Sequence, residues 1–235
     1  ITVVKNDVKN IEKTIKSVLS QKYHNFEYII VDGNSQDGTS EIIKKYKNKI
    51  IHLRAKDKNI YDALNKGIKK AKGDFIGIIH SGDVYRKKNI LNMVGKELRL
   101  YDLVSYNMNY VSKDNKIIRK WKLEINKLTK YNFFYIAHPT LFLNKKIFKK
   151  KIYDISYKIA GDTDFLCHLS KQIGLNYKYY NKTIMNCLYG GISTKRSFFL
   201  KKFNEDLNIF YKHFGFIGIF LLFAKIFIKI RSFSF

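Results

Sequence analysis

The alternation of apolar runs with helix-like segments in the first 83 residues most constrains the fold of this chain. Apolar runs predict strands at residues 1–4, 26–31, 50–53 and 75–79. Between them, apolar residues recur at helical spacing, which predicts helices. Strands and helices that alternate over short connections are typical of a parallel sheet with right-handed crossovers. The strands are continuous apolar runs, as expected where helices cover both faces of the sheet.

The pattern changes after Asp83. Two further strands are predicted at residues 103–111 and 116–123, and the segment between them has the composition of a hairpin turn. We therefore predict an α/β fold with a Rossmann-type, mostly parallel central sheet flanked by helices and a mixed α+β second half. One domain would span residues 1–194, divided into a first half at 1–100 and a second half at 101–194.

The last segment, residues 195–235, differs again in composition. A predicted amphipathic helix leads into the uninterrupted apolar run 214–224, after which Lys225 and Lys229 recur. A membrane-spanning helix needs about 20 apolar residues. This run is shorter, and the segment carries eight basic and two acidic residues. We therefore expect a helix that lies in the membrane interface with its lysines reaching outward. The alternative is a helix packed on the domain or on a second copy in a homo-oligomer.

The net charge of the chain is +26, from 45 Lys and Arg against 19 Asp and Glu. Anionic partners are therefore expected, and a basic protein that binds nucleic acid or a membrane surface is an alternative reading. The basic residues are spread along the chain and form no stripe with stacking aromatic residues, so we expect no nucleic-acid partner. Cys167 and Cys187 match no metal or disulfide spacing, which favours a reducing, cytoplasmic compartment.

Three blocks carry polar residues to the ends of predicted strands. They read IVDGNSQDGT at 30–39, DKNIYDALNKG at 57–67 and GDFIGIIHSGD at 73–83. In open α/β sheets, ligands bind at the carboxyl ends of the strands. In this order and spacing the blocks resemble the signatures of family 2 inverting glycosyltransferases with the GT-A fold. The resemblance covers about residues 1–83, extends weakly through 161–165, and is nearest to enzymes that build bacterial surface polysaccharides.

The resemblance implies an inverting, divalent-metal-dependent transfer of a hexosyl or N-acetylhexosaminyl group. The donor would be a nucleotide sugar, with UDP as the expected nucleotide. Residues 1–100 would be the nucleotide-sugar-binding half of the domain and residues 101–194 the acceptor-binding half. The acceptor would be a lipid-linked, lipopolysaccharide-type or capsule-type glycan, reached from the inner face of the cytoplasmic membrane. Many relatives carry a further acid at the position of Gly82. A catalytically weakened scaffold is therefore another alternative.

Asp83 matches the metal-binding acid of the family. A Mg²⁺ or Mn²⁺ ion takes oxygen ligands and keeps several waters or phosphate oxygens. At Asp83 such an ion would neutralise the leaving diphosphate. With Gly82 in place of a second acid, we expect weaker metal affinity. His80 is either an extra ligand or an ordinary polar residue at the strand end.

The resemblance also implies a set of residues that bind the nucleotide sugar. They are Val4, Asp32, Asp57, Asn65, Gly82, Asp83 and His138. The matching acid in the family accepts a hydrogen bond from the nucleobase, which a carboxylate at position 32 can do. The alternative for Asp32 is a local turn contact with the residues that follow it. His138 would contact the diphosphate or the acceptor, or have a structural role.

The catalytic base is predicted to be Asp162, with Asp164 as the alternative. Both lie where relatives carry an acidic pair before a helix. An inverting transfer needs one carboxylate to take the proton of the acceptor hydroxyl. A third interpretation is that Asp162 caps the helix that follows it.

Overall fold

The fold comes from a computed structural model, and the structure describes residues 1–123, 129–150, 152–172, 174–191 and 196–232. The strands are β1 (Thr2–Val4), β2 (Ile29–Asp32), β3 (Ile51–Arg54), β4 (Phe75–Gly77), β5 (Val84–Tyr85), β6 (Leu103–Val111), β7 (Ile117–Trp121), β8 (Phe142–Asn144) and β9 (Tyr177–Leu188). The helices are α1 (Ile11–Leu19), α2 (Thr39–Lys44), α3 (Ile60–Lys70), α4 (Ile90–Glu97), α5 (Lys146–Lys150), α6 (Gly161–Leu169), α7 (Phe199–Phe214) and α8 (Phe216–Arg231).

The first half is a parallel β–α repeat, as the sequence predicts. β1 pairs with β2, and β2 pairs with β3, both in parallel. The register places Val4 opposite Asp32 and Asp32 opposite Arg54, so the carboxyl ends of the three strands meet. α3 begins where Asn59 accepts hydrogen bonds from the amides of Tyr61 and Asp62, a normal N-cap. The strand predicted at 26–31 is shifted and forms at Ile29–Asp32.

The six strands β4 to β9 form a second sheet, which is mostly antiparallel. β4 and β6 both pair antiparallel with β8, β6 pairs with β9 in parallel, and β5 and β7 complete the mixed sheet. Ile1 bridges the two sheets, because its amino nitrogen donates to Gly77 O at 2.8 Å and its carbonyl oxygen accepts from Ile79 N at 3.0 Å. The strand predicted at 75–79 therefore continues as an extended segment, although β4 itself ends at Gly77.

The prediction of an α/β fold with a mixed second half is confirmed. The hairpin predicted around residues 113–115 is also present, since β6 and β7 pair antiparallel. Among the described strands, the parallel pairs are β1 with β2, β2 with β3, and β6 with β9. The predicted boundary between residues 194 and 195 lies outside the described residues.

Helices α7 and α8 form a hairpin that packs on the domain through α7. Ile209 and Phe210 on α7 are fully buried, and Phe210 meets the ring of Phe134 at 4.7 Å between centroids. α8 approaches α7 closely, because a Cβ at Gly218 would lie 2.1 Å from the carbonyl oxygen of Phe210. Over the described part of the chain, no helix has the length and apolar character needed to cross a bilayer.

Candidate functional site

A cavity of about 410 Å³ lies at the carboxyl ends of β1 and the segment that follows β4. Its walls include five parts of the chain that are distant in sequence, together with residues of α3 and β6. The five parts are the loop after β1 (Val4 to Asp7), the turn with His80 and Asp83, the His138-Pro139 pair, the start of α6 with Asp162, and the end of β9 with Leu188. The sheet therefore brings together Val4, Asp83, His138 and Asp162, which the sequence predicts as site residues.

The loops after β1 and β2 are tied to one another beside this cavity. Gly33 N donates to Val4 O at 2.9 Å, and Asn6 N donates to Ser35 Oγ at 2.9 Å. The amide of Gln36 donates in return to Asn6 Oδ1 at 2.9 Å. These bonds occupy main-chain groups that a strand end leaves without a ladder partner. The predicted nucleotide-binding edge is therefore held in one arrangement before any ligand binds.

Asp32 is fully buried, and both of its carboxylate oxygens have partners inside the protein. Oδ1 accepts from Ser35 N at 2.9 Å, Oδ2 accepts from the hydroxyl of Ser40, and His52 Nε2 lies 3.6 Å from Oδ2. Burial alone would raise the pKa of Asp32, but the hydrogen bonds from Ser35 and Ser40 outweigh it and hold the pKa below its usual value. These contacts support the turn-stabilising interpretation, and contact with a nucleobase stays a prediction.

Asp57 differs from Asp32 because one of its oxygens has no partner. Oδ1 accepts from Lys66 Nζ at 2.6 Å, whereas the buried Oδ2 has no hydrogen-bond partner among the described residues. A Cβ placed on Gly33 would lie 3.3 Å from this Oδ2 and equally near Lys5, which lines the cavity. A buried acceptor without a donor is costly. Asp57 therefore has an unused acceptor beside Lys5, although neither Asp57 nor Asp32 lines the cavity itself.

Asn65 lies outside the cavity walls and binds the main chain. Its Nδ2 donates to Tyr153 O at 2.8 Å, and its Oδ1 accepts from Tyr153 N at 3.0 Å. Both ends of the amide are used, so the structure gives Asn65 the role of joining α3 to the segment before α6. Its predicted contact with the nucleotide sugar remains untested.

Asp83 faces the cavity from the end of the segment that follows β4. It is 5% exposed, and its Oδ1 accepts from Leu188 N at 3.1 Å. Burial raises the pKa of Asp83 to about 7, because a charged carboxylate is poorly solvated there. Gly82 beside it has φ +93, and a Cβ there would lie 3.2 Å from Leu188. A second acid at this position would therefore need a strained backbone.

The donor set for a metal ion is small. Within the described ranges, no cluster of three or more His, Cys, Asp or Glu side chains could hold an ion. Asp7, Asp83 and Asp162 all line the cavity, but no three such side chains cluster among the described residues. A Mg²⁺ or Mn²⁺ ion held by Asp83 would therefore take its other ligands mainly from phosphate and water. The nearby His80 has a buried Nδ1 without a partner in the described part of the chain, and burial lowers the pKa of His80 to about 4. A neutral imidazole of this kind is able to coordinate a metal.

His138 is held from behind by a tyrosine. Its Nε2 lies 2.5 Å from the hydroxyl of Tyr153, and its ring stacks on that of His80 at 6.5 Å between centroids. Burial lowers the pKa of His138, and the nearby Asp162 opposes this shift. His138 is thus a neutral, fixed side chain in the cavity wall. Either a ligand contact or a structural role is compatible with this arrangement.

Asp162 lies in the first turn of α6 and lines the cavity. Its Oδ1 accepts from Thr163 N at 2.9 Å and lies 3.5 Å from the hydroxyl of Tyr61. The N-cap position of α6 is occupied by Ala160, so Asp162 is not the cap residue. The N-terminal end of a helix favours a negatively charged side chain. Asp162 therefore has the place and the electrostatic setting of a general base.

Asp164 points away from this cavity. It is 1% exposed, with Oδ1 at 2.9 Å from His213 Nε2 and at 3.4 Å from Lys212 Nζ. Both partners belong to α7. The structure thus places one acid of the pair at the cavity and the other at the contact with the C-terminal hairpin.

Sequence reasoning missed several cavity residues, and three of them carry polar side chains that could contact a ligand. They are Asp7, Tyr110 and Lys158. Asp7 accepts from Ser81 Oγ at 2.6 Å and thereby joins the loop after β1 to the Asp83 turn. Its position directly after a strand is a signal that would have found it. Tyr110 and Lys158 stand in segments that carry no motif, so only the fold brings them here.

The arrangement of strand-end acids around one cavity agrees with the comparisons to known proteins. The model of the family described as Glycosyl transferase family 2 matches residues 1–157. The chain belongs to glycosyltransferase family 2. A member from Escherichia coli, UDP-Glc:alpha-D-GlcNAc-diphosphoundecaprenol beta-1,3-glucosyltransferase WfaP, is 32% identical over 161 residues, which make up 67% of this chain and 62% of the relative.

Two solved structures have the same fold. Staphylococcus aureus TarS 1–349 in complex with UDP-GlcNAc has a TM-score of 0.73 at 17% identity, over 96% of this chain and 70% of that chain. Mannosyltransferase PcManGT from Pyrobaculum calidifontis, in complex with GDP-Man and Mn²⁺, has a TM-score of 0.65 at 13% identity, over 100% and 75% of the two chains. The chain spans 55% to 66% of the length of the first curated relatives.

Proposed function

We propose that this family 2 domain is an inverting glycosyltransferase that uses a UDP-sugar and a lipid-linked glycan acceptor. The observation that carries the proposal is the cavity in which Asp83 and Asp162 come from opposite halves of the domain. One acid belongs to the strand-end block of the nucleotide half, and the other begins a helix of the second half. A transfer reaction needs this separation, because donor and acceptor approach the reacting carbon from opposite sides.

The reaction we propose is a single displacement at the anomeric carbon of the donor sugar. The acceptor hydroxyl oxygen forms the new bond to that carbon, and the bond to the diphosphate oxygen breaks, so the nucleoside diphosphate leaves. Asp162 takes the hydroxyl proton as the oxygen attacks. A divalent ion held by Asp83 would neutralise the leaving diphosphate. The Mn²⁺ in the structure of the mannosyltransferase neighbour supports the choice of ion.

For the donor we propose a nucleoside diphosphate whose base or ribose reaches Asp57. The buried Oδ2 of Asp57 can accept a hydrogen bond, whereas both oxygens of Asp32 are already used. The UDP-sugar named for the Escherichia coli relative and the UDP-GlcNAc bound to TarS support uridine. The acceptor named for that relative is a sugar on diphosphoundecaprenol, which supports a lipid-linked acceptor here.

We also propose that α8 docks on an anionic membrane surface at the cytoplasmic side. Phe216, Phe220, Phe223 and Phe227 on α8 are 57% to 76% exposed. At 16 residues, α8 is about 24 Å long, less than the roughly 30 Å of a bilayer core. The chain carries a net charge of +26, so a second copy would be repelled whereas anionic lipid would be attracted.

The transfer reaction is tested with purified protein, an undecaprenyl-diphosphate-linked GlcNAc acceptor and UDP-, GDP- and dTDP-sugars, with and without Mn²⁺. We expect product from a UDP-sugar only when the ion is present. Asp162→Asn and Asp83→Ala should each lower turnover by at least about 100-fold. Asp114→Asn, which removes an exposed carboxylate from the β6–β7 turn, serves as control and should be fully active. A folded protein that binds and turns over no donor would refute the proposal.

The membrane contact is tested by sedimentation with vesicles that contain or lack anionic lipid. Phe220→Ser combined with Phe223→Ser should abolish binding to the anionic vesicles. Leu100→Ser, which removes a residue that is 66% exposed elsewhere, is the matched control and should bind as before. Self-association without vesicle binding would contradict the proposal and would identify the α8 face as a contact between copies.

A nucleic-acid-binding function is the second candidate, and only the net charge favours it. It predicts a strongly salt-dependent affinity for nucleic acid without nucleotide-sugar binding. A catalytically weakened scaffold, the third candidate, predicts nucleotide binding without product formation. The assay with the three nucleotide sugars separates all three.

A further inference from the structure

One carboxylate of the C-terminal hairpin holds the main chain that leads into α6. Glu205, on α7, accepts three hydrogen bonds from consecutive amides. Lys158 N donates to Oε1 at 3.0 Å, and Ile159 N and Ala160 N donate to Oε2 at 2.9 Å and 2.8 Å. Asp162 follows two residues later. Glu205 thus binds the segment that carries the proposed base, although it lies outside the walls of the cavity.

Hydrogen bonds to a charged acceptor are shorter and stronger than neutral ones, and three on one carboxylate restrict the backbone at three successive residues. Ile159 and Ala160 are buried, so water does not compete freely for their amides. On the opposite side, Tyr61 donates from its hydroxyl to Ile159 O at 2.7 Å. The segment is therefore clamped between α3 and α7, and the direction of Asp162 depends on both contacts.

The same hairpin also holds the two residues that follow Asp162 along α6. Lys225 Nζ on α8 donates to Thr163 Oγ1 at 2.9 Å. His213 on α7 lies 2.9 Å from Asp164. The hairpin therefore contacts the main chain at residues 158–160, before Asp162, and the side chains of Thr163 and Asp164, after it. Asp162 itself faces the cavity.

We propose that Glu205 is a positioning residue for the base of the sugar transfer. Through Glu205, the α7–α8 hairpin would hold Asp162 in place on the acceptor side of the site. This rests on the proposed function, in which Asp162 is the base. Displacement of a reacting group by about 1 Å can lower the rate by roughly 100-fold. The hydrogen bonds of Glu205 go to the main chain of residues 158–160 and to none of the predicted donor-binding residues. We therefore expect the chemical step, and not donor binding, to depend on Glu205.

The test compares Glu205→Gln and Glu205→Ala with wild type. A matched control is Glu27→Gln, because Glu27 also accepts from two consecutive amides, those of Lys72 and Gly73, far from the site. We expect kcat to fall about 10- to 100-fold in Glu205→Ala and less in Glu205→Gln, whose carbonyl oxygen still accepts. The KM for the UDP-sugar should stay within about twofold. Hydrogen exchange at residues 158–160 should accelerate in both variants but not in Glu27→Gln.

The outcomes separate this proposal from the function on which it rests. If Asp162→Asn keeps full activity, the base assignment fails and the positioning role fails with it. If Asp162→Asn is inactive while Glu205→Ala exchanges faster at 158–160 but keeps its kcat, only the positioning role is overturned. A raised donor KM with unchanged kcat would also overturn it, since Glu205 would then act on donor binding. Should Glu205→Ala fail to fold, Glu205→Gln gives the same comparison.

Discussion

Replacing Asp83 by asparagine is expected to stabilise the metal-free protein, although it removes the proposed metal ligand. Burial raises the pKa of Asp83 from 3.8 to about 7. Between these two pH values the carboxyl group stays protonated in the folded chain but ionises in the unfolded chain. Stability is therefore lost as the pH rises from about 4 to 7. At about 1.4 kcal/mol per pH unit, a difference of roughly three units costs the wild type up to about 4 kcal/mol above pH 7.

Asparagine does not ionise, and its amide oxygen can still accept the hydrogen bond from Leu188 N, which is 3.1 Å long in the wild type. The free energy of unfolding is measured by urea titration in EDTA at pH 4.5 and pH 8. We expect Asp83→Asn to exceed wild type by about 2 to 4 kcal/mol at pH 8 and by about 1 kcal/mol at pH 4.5. Asp114→Asn, an exposed site with the same change of charge, should show no such gain. The reasoning is refuted if Asp83→Asn is less stable than wild type at pH 8, or if its gain is independent of pH.

Two further variants test contacts around the site. Asn65→Ala leaves the N–H and C=O of Tyr153 without partners and should lower the free energy of unfolding by about 2 kcal/mol or more. Its UDP affinity, measured by calorimetry, should not change, and a weaker affinity would instead support the predicted nucleotide contact. Gly161→Ala places a Cβ 2.9 Å from the buried ring of Tyr61 and should cost about 1 to 3 kcal/mol. Gly73→Ala, whose nearest contact would be 3.7 Å, is the control, and equal losses in the two variants would contradict the packing argument.

The sequence was most informative where function depends on strand ends. A continuous apolar run followed by an acid predicts both a buried strand and the edge to which the acid is delivered. Asp83 lies at the cavity for this reason. Val4 also lines the cavity, because β1 runs parallel to β2 and ends at the same edge of the sheet. The same logic would have found Asp7. In these cases the apolar run that predicts the strand also determines where the residue after it lies in the fold.

Side-chain partners across long separations could not be predicted in this way. Asp32 and Asp57 both follow strands, yet one has both oxygens satisfied and the other does not. The difference depends on Ser40 and Lys66, which reach these acids from separate helices. Asn65 belongs to a motif block, but its amide meets Tyr153, which is 88 residues away. Hydrogen-bond pairing of this kind depends on where the elements pack, and no local pattern encodes it.

The sequence by itself determined the α/β architecture, the family and the edge of the sheet at which the acids collect, because periodicity and motif order are local properties of the chain. Only the tertiary structure shows that the two acids of the Asp162–Asp164 pair have different surroundings. Residues two apart on an α-helix point about 200° away from each other, so one faces the cavity and the other faces His213 on α7. The structure also brought Glu205 to the backbone before α6. Glu205 lies far beyond Asp162 in the sequence. Its carboxylate reaches the backbone at residues 158–160 only because α7 folds back onto the domain.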